Sequence, residues 1–209
     1  MKNLLFYAII ITSSNIIYSQ TNFEGAIIYS NTFKSKMVNL STEQLAKMIG
    51  TRQEYYIREG TYKSITNGQS IIMQLYHSET NRLYNQTAAS DTLYWFDAST
   101  NTDNVLSYDL KKEAEVILGY PCDALIVKTR TGTTTFYFSS QLTLDKARYK
   151  NHNYGNWSFF VEKSSSLPLR IITDNSQFFI ESTAIEVKPM KLDEQYFKIN
   201  DKIPIKKSQ

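Results

Sequence analysis

The segment from Glu115 to Ser140 constrains the fold of this chain more than any other segment. It holds the densest run of β-branched and aromatic residues, together with a Thr131-Gly132 pair that can turn one strand back on another. β-Branched and aromatic side chains favour the pleated, half-buried surface of a sheet. The segment therefore predicts a central β-hairpin, around which further strands are arranged.

Short strands and turn signals alternate through most of the remaining chain. From Phe23 to Phe33 apolar and polar residues alternate with the period of two that marks a strand with one buried face. Glu59-Gly60 and Asn67-Gly68 supply turns. Strands at this spacing predict an antiparallel meander. Further strands are predicted over residues 53–58, 61–66, 70–77, 82–86, 92–97, 157–162, 169–173 and 177–188.

One segment has the period of a helix instead. Ser41-Thr42-Glu43-Gln44 has the pattern of a capping box, in which Ser41 and Gln44 each satisfy a backbone amide of the first turn. Leu45, Met48 and Ile49 then fall on one helical face, and Gly50 supplies the stop. We expect one short helix here, with its apolar stripe lying against the sheet.

The N-terminus has the layout of a secretory signal. Lys2 is followed by an apolar run over residues 4–11 and by the small residue Ser19 at a cleavage position. The run is shorter than the roughly 20 apolar residues that span a bilayer. We predict that residues 1–19 are a signal peptide and that residues 20–209 form one exported domain, periplasmic or secreted from a Gram-negative cell, with no transmembrane segment in the mature chain.

The charge of the chain is nearly balanced, with 23 Lys and Arg against 20 Asp and Glu. The two signs are interspersed along the sequence. A nucleic-acid footprint needs basic residues gathered on one face. The composition therefore argues against a nucleic-acid partner.

No motif in the sequence points to catalysis. Cys122 lies in a strand-like apolar run and is expected to be a buried core residue, because a reactive thiol needs a nearby cation or a helix start. His77 and His152 have no Cys, Asp or Glu beside them at metal-ligand spacing. The nucleophile motif G-x-S-x-G is absent from the sequence. We predict that the protein is not an enzyme and that it has no metal and no cofactor.

A loop after the predicted strand 92–97 has a weak likeness to a calcium site. Asp97, Ser99, Asn101 and Asp103 place oxygen-bearing side chains at alternate positions. The sixth position of that pattern lacks its glycine, and Tyr108 stands where a bidentate glutamate is required. A polar hairpin loop is the simpler interpretation.

Several motifs in the chain resemble those of one known protein family. Phe23-Glu24-Gly25-x-Ile27-x-Tyr29 is similar to the opening strand of the GLPGLI family of uncharacterised exported envelope proteins. Ile117-Leu118-Gly119-Tyr120-Pro121-Cys122-x-Ala124 resembles its mid-chain I-x-G-Y-x-C-x-x-A box, with Ala124 one place early. Residues 135–142 resemble the aromatic strand that follows. Ser166-Leu167-Pro168-Leu169 keeps the Leu-Pro core of the naming motif but lacks both of its glycines.

This resemblance implies a fold more firmly than a function. It implies a mainly β, α+β architecture: an antiparallel open half-barrel of about ten strands with one short helix on the concave face. Such a half-barrel is similar to that of the carriers that ferry lipoproteins across the Gram-negative periplasm. No activity is established for the family as a whole, and a fold does not by itself define a function.

Apolar residues on the strand faces and on the helix admit two interpretations. In a closed core they pack only against each other. In an open half-barrel they line a cavity for a lipid or acyl ligand, whose burial contributes roughly 0.8 kcal/mol per methylene. The second interpretation predicts a non-catalytic binding protein or carrier. A different hypothesis is an interaction module that docks an envelope protein partner through a sheet edge or aromatic patch. The candidate ligand-binding residues are Ile27, Tyr29, Leu45, Met48, Ile71, Met73, Leu75, Trp95, Phe136 and Phe138.

Overall fold

The computed structural model describes residues 22–208, which form a mainly β domain built on one sheet. The prediction of a signal peptide over residues 1–19 lies outside the described residues. The strands are β1 Gly25–Ser35, β2 Arg52–Arg58, β3 Thr61–Thr66, β4 Met73–His77, β5 Arg82–Gln86, β6 Leu93–Asp97, β7 Val105–Ile117, β8 Tyr120–Thr129, β9 Gly132–Thr143, β10 Ser166–Asn175, β11 Phe178–Pro189 and β12 Ile205–Lys207.

The sheet is open, and its strands run in the order β12-β6-β5-β4-β3-β2-β1-β11-β10-β9-β8-β7. All neighbours are antiparallel except β12, which pairs in parallel with β6. The described residues contain twelve strands, so the prediction of about ten was too low. The hairpin formed by β8 and β9 was predicted to be central, but it lies near one end of the sheet, beside the edge strand β7.

Turn residues in the sequence correctly predicted the positions of several hairpins. Glu59 and Gly60, both at positive φ, connect β2 to β3 as predicted. Leu118 and Gly119, also at positive φ, connect β7 to β8. This tight turn comes just before β8, and Pro121 lies in the ladder opposite Val116.

The predicted helix is confirmed as α1, Thr42–Ile49. The Ser41 hydroxyl accepts a hydrogen bond from the Gln44 amide, and the Gln44 side chain accepts one from the Ser41 amide. Leu45 is buried, but Met48 is 42% exposed. The apolar stripe of α1 is therefore only partly covered.

A second helix, α2, spans Trp157–Ser164, where the sequence pattern predicted a strand over residues 157–162. That prediction was wrong. Asn156 precedes the helix in a left-handed conformation, and Phe160 and Val161 on the helix are fully buried. Burial of this apolar pair against the sheet overrides the strand preference of the aromatic residues.

The two faces of the sheet carry separate cores. We call inner the face that holds the larger core, with Ile27, Ile57, Tyr76 and Leu125. The 3-10 helix Lys146–Tyr149 and α2 pack on this inner face. The outer face holds a small cluster of Leu75, Tyr84, Leu192 and Phe197, the last of which lies in the C-terminal 3-10 helix Glu194–Phe197. Within residues 22–208 no helix combines the length and the apolar character needed to cross a membrane.

Candidate ligand-binding cleft

The structure distributes the ten predicted ligand-binding residues over several places. Ile27, Tyr29, Phe136 and Phe138 belong to the inner core, whereas Met73, Leu75 and Trp95 belong to the outer cluster. Leu45 and Met48 lie on α1, and Ile71 and Met73 border a pocket of about 240 Å³ beside Ile49. The ten residues therefore do not line one common cavity.

Aromatic side chains fill the centre of the inner face. The Phe160 ring of α2 stacks on Phe136 at 4.5 Å between centroids and meets Phe138 edge-on at 5.9 Å. Tyr149 and His152 beside it are each 1% exposed. The central part of the sheet is thus covered by packed side chains.

A cleft of about 1190 Å³ remains open next to this packed centre. Phe136 is the one predicted ligand-binding residue that lines it. Its walls come from five segments that lie far apart in the sequence and meet around the inner face. These segments are residues 96–103, 129–136, 152–157, 171–178 and 207–208, with Tyr62 below them.

Hydrogen bonds hold one wall of the cleft in place. The Asp103 carboxylate accepts hydrogen bonds from the Thr129 hydroxyl at 2.6 Å and from the Thr131 hydroxyl, which lower the pKa of Asp103. Asn101 donates to the Asn156 side chain at 2.7 Å, and Asn156 donates to the Asp103 carbonyl at 3.0 Å. The loop after β6, the turn between β8 and β9 and the start of α2 are therefore tied together.

A buried His–Tyr pair lies below the cleft. The Tyr62 hydroxyl and His152 Nε2 are 2.8 Å apart, and the His152 ring lies 4.1 Å from that of Tyr76. Burial lowers the pKa of His152 to about 4, because the charged imidazolium loses its hydration among these rings. His152 is therefore neutral at pH 7.

The remaining candidate reactive groups lie outside the cleft. Cys122 is fully buried, as predicted, and burial raises the pKa of its thiol. His77 is half-buried beside the C-terminal 3-10 helix, and burial lowers its pKa. In the part of the chain that the structure describes, no cluster of three or more His, Cys, Asp or Glu side chains could hold a metal ion.

Two features of the sequence supply residues that line the cleft, although neither feature predicted the cleft. Asp97, Asn101 and Asp103, singled out for their likeness to a calcium loop, all line it. The run Thr133-Thr134-Thr135 follows the predicted hairpin turn, and its first two threonines line the cleft as well. That these segments meet could not be predicted from local patterns, because their contact depends on the long-range order of the sheet.

The fold and the cleft together define a class: a β domain with a single open sheet and a polar cleft on the face that carries α2. A solved structure of PNGF-II in the C2 space group matches 89% of this chain with 13% sequence identity and a TM-score of 0.50. The P21 form of PNGF-II matches 88% of this chain with 10% identity and a TM-score of 0.46. This chain spans 31% of the PNGF-II chain in each case.

The likeness to the C2 form of PNGF-II supports a shared fold and extends no further, because the identity is only 13%. No protein-family model and no curated protein matches the chain.

Proposed function

We propose that this is an exported, non-catalytic binding protein whose ligand occupies the inner-face cleft. The observation that carries the proposal is the cleft itself, whose volume of about 1190 Å³ is large enough for a small-molecule ligand. Its walls are built from separated segments that hydrogen bonds join, as between Asp103, Thr129 and Asn156. Walls held in this way preorganise a site, which reduces the entropy lost when a ligand binds.

The candidate reactive groups support binding without chemistry. His152 is enclosed by aromatic rings, and Cys122 is fully buried. Two threonine hydroxyls donate hydrogen bonds to the Asp103 carboxylate, and these bonds favour its charged form. None of these three groups has the exposed, activated arrangement that a nucleophile or general base requires.

The finer architecture belongs to this proposal. We place the sheet in the half-barrel class. The sequence predicted α1 as the helix on its concave face; we assign that position to α2 instead, with α1 as a connection between β1 and β2. The lipid or acyl ligand predicted from the sequence is one candidate occupant of the cleft.

Native mass spectrometry of the protein purified from its own envelope or secreted fraction tests ligand binding. We expect an added non-protein mass on the wild-type chain. Thr173 lines the cleft, so the indole ring of Thr173→Trp should narrow it and reduce the fraction of the chain that carries that mass. Thr32→Trp, at an exposed position on β1, is the matched control and should retain the mass. A wild-type chain that is bare and takes up no ligand contradicts the proposal.

Export is tested separately. N-terminal sequencing of the mature protein from the same fraction should give Gln20 as its first residue. A mature chain that still begins at Met1 and stays in the cytoplasm contradicts the predicted signal peptide.

The sheet edge at β7 favours a second candidate function, the docking of an envelope protein partner. In the part of the sheet that the structure describes, β7 has β8 as its one strand partner, and Leu106 and Tyr108 on it are 71% and 51% exposed. An unpaired edge strand presents backbone donors and acceptors to an added strand. Cross-linking in cells distinguishes the two functions. A single stoichiometric protein partner that is lost in Leu106→Lys and kept in Leu118→Lys favours docking.

A further inference from the structure

The cleft lining combines hydroxyl and amide groups with aromatic rings. Its polar side chains include seven threonines and three asparagines. Its aromatic side chains are Tyr62, Phe96, Phe136, Tyr154, Trp157 and Phe178, with His152 beside them. Thr129, Thr131, Asn101 and Asn156 already form hydrogen bonds within the cleft wall. A ligand therefore meets mainly the hydroxyls of the other five threonines, together with the apolar rings.

The charges around the cleft disfavour an anionic ligand. Asp97 and Asp103 line the cleft, and Lys207 is the one cation among its described lining residues. The Asp97 carboxylate already accepts hydrogen bonds from the Ser99 amide and the Asn81 side chain. A phosphate or carboxylate group is bound by clustered Arg and Lys or by exposed backbone amides. The lining contains no such cluster of cations among the described residues.

An acyl chain also fits the lining poorly. Thr134 and Thr173 face each other across β9 and β10 within the cleft. A hydrocarbon would displace water from these hydroxyls without replacing its hydrogen bonds, at a cost for each buried group. A ligand with hydroxyls of its own avoids that cost.

Aromatic rings at the rim can hold the apolar side of such a ligand. The Tyr154 side chain is 43% exposed and meets the Phe96 ring edge-on at 5.0 Å. The face of an aromatic ring carries partial negative charge and attracts polarised C–H groups. A sugar ring presents C–H groups on its face and hydroxyls around its edge.

We infer that the ligand of the cleft is a neutral carbohydrate, with its hydroxyls on the cleft-lining threonines of β9 and β10 and a ring face on Tyr154. This inference rests on the proposed function, because it names the ligand class of the same cleft. The volume of about 1190 Å³ exceeds what a single sugar ring fills, so an oligosaccharide is the expected form.

The test begins with the purified protein on a printed array of neutral and acidic oligosaccharides. Calorimetric titration then measures the affinity for the glycan that binds best. Removal of one hydroxyl in Thr134→Val or Thr173→Val should weaken the affinity about 5- to 10-fold, since a neutral hydrogen bond contributes about 1 kcal/mol. Tyr154→Ala should weaken it about 10-fold or more. Thr32→Val, on the exposed part of β1, should leave the affinity unchanged.

Palmitate is titrated as the second probe. Saturable binding of a neutral glycan with the expected loss in the three cleft variants supports the inference. Palmitate binding that Tyr154→Ala or Thr173→Trp abolishes, with no glycan bound, overturns the carbohydrate assignment and leaves the proposed function intact. Preference for acidic glycans, or glycan binding that Thr32→Val weakens as much as Thr134→Val, also overturns the assignment. If the protein binds neither probe and is bare in native mass spectrometry, both the carbohydrate inference and the proposed binding function are contradicted.

Discussion

The Tyr62 hydroxyl lies 2.8 Å from His152 Nε2, and both side chains line the floor of the inner-face cleft. Tyr62 reaches this point from β3, whereas His152 lies between the 3-10 helix Lys146–Tyr149 and α2. Their hydrogen bond therefore joins the sheet to the segment that covers it. Because both groups are buried, the loss of one partner leaves the other unsatisfied.

Tyr62→Phe should lower the free energy of unfolding by about 1–3 kcal/mol, since His152 Nε2 loses its buried partner. Tyr55→Phe is the matched control. The Tyr55 ring stacks on Tyr62 at 4.9 Å, but its hydroxyl is buried with no hydrogen-bond partner among the described residues. Its removal should leave stability unchanged or raise it. Urea unfolding followed by tryptophan fluorescence measures both variants, and equal losses would contradict this account.

The buried state of His152 makes stability depend on pH. Its pKa is about 4 in the folded protein, against about 6.5 in an unfolded chain. Between these values the unfolded chain binds a proton that the folded chain does not, so stability falls as the pH falls from 6.5 towards 4. The loss attributable to His152 should reach about 2–3 kcal/mol at pH 4.5.

His152→Gln removes this titration and is the comparison that isolates it. The wild-type advantage in unfolding free energy over the variant should shrink steadily from pH 7 to pH 4.5. His77, whose pKa burial also lowers, titrates in both proteins and cancels in the difference. The groups that pack around His152 are the neutral rings of Tyr62, Tyr76 and Trp157. If the difference in unfolding free energy stays constant with pH, His152 is not the source of the pH dependence.

Local chemistry made much of the sheet predictable. Positive-φ turn residues such as Glu59-Gly60 fix where a hairpin reverses, and the alternation that follows each turn fixes which residues are strand. The capping box of Ser41 and Gln44 located α1 by the same kind of short-range signal. None of these signals depends on the fold of distant residues.

The cleft and α2 could not be predicted in this way. Trp157, Phe159 and Phe160 favour strands when judged locally, and only burial against the sheet makes them helical. The cleft forms where Asp103 meets Thr129 and Asn156, contacts that span 26 and 53 positions of sequence. Apolar residues predicted to share a cavity were instead divided between the faces, as with Phe136 and Trp95. The pairing order of distant strands brought the walls of the cleft together.

An ion-pair cluster on Arg170 should stabilise the sheet measurably. Its guanidinium lies 2.6 Å from Glu115 and 3.2 Å from Glu181, and it donates to the Thr183 hydroxyl at 3.0 Å. The Arg170 side chain is only 22% exposed. Arg170→Met keeps most of the apolar stem but leaves two carboxylates unpaired, so we expect a loss of about 1–3 kcal/mol.

The control for Arg170 is the pair of Lys188 and Glu186, 2.8 Å apart with both side chains nearly half exposed. Lys188→Met should cost less than about 1 kcal/mol, because water and side-chain entropy offset an exposed pair. Urea unfolding with and without added salt measures both variants. If Lys188→Met proves as destabilising as Arg170→Met, the partial burial of the Arg170 cluster does not increase its contribution to stability.

The packing of α2 yields the largest expected effect. Phe160 is fully buried and its ring contacts Phe136, Phe138 and Trp157 at 4.5, 5.9 and 5.3 Å between centroids. Phe160→Ala removes that ring and opens a cavity under the helix, so we expect a loss of about 3–5 kcal/mol.

Phe159, the next residue on α2, is the matched control because it is only half-buried and meets the Tyr108 ring edge-on at 5.4 Å. Phe159→Ala should cost about 1 kcal/mol. Thermal and urea unfolding of the two variants measures the difference. A reversed order of the two losses would show that Phe159 rather than Phe160 faces the core and would contradict this packing of α2.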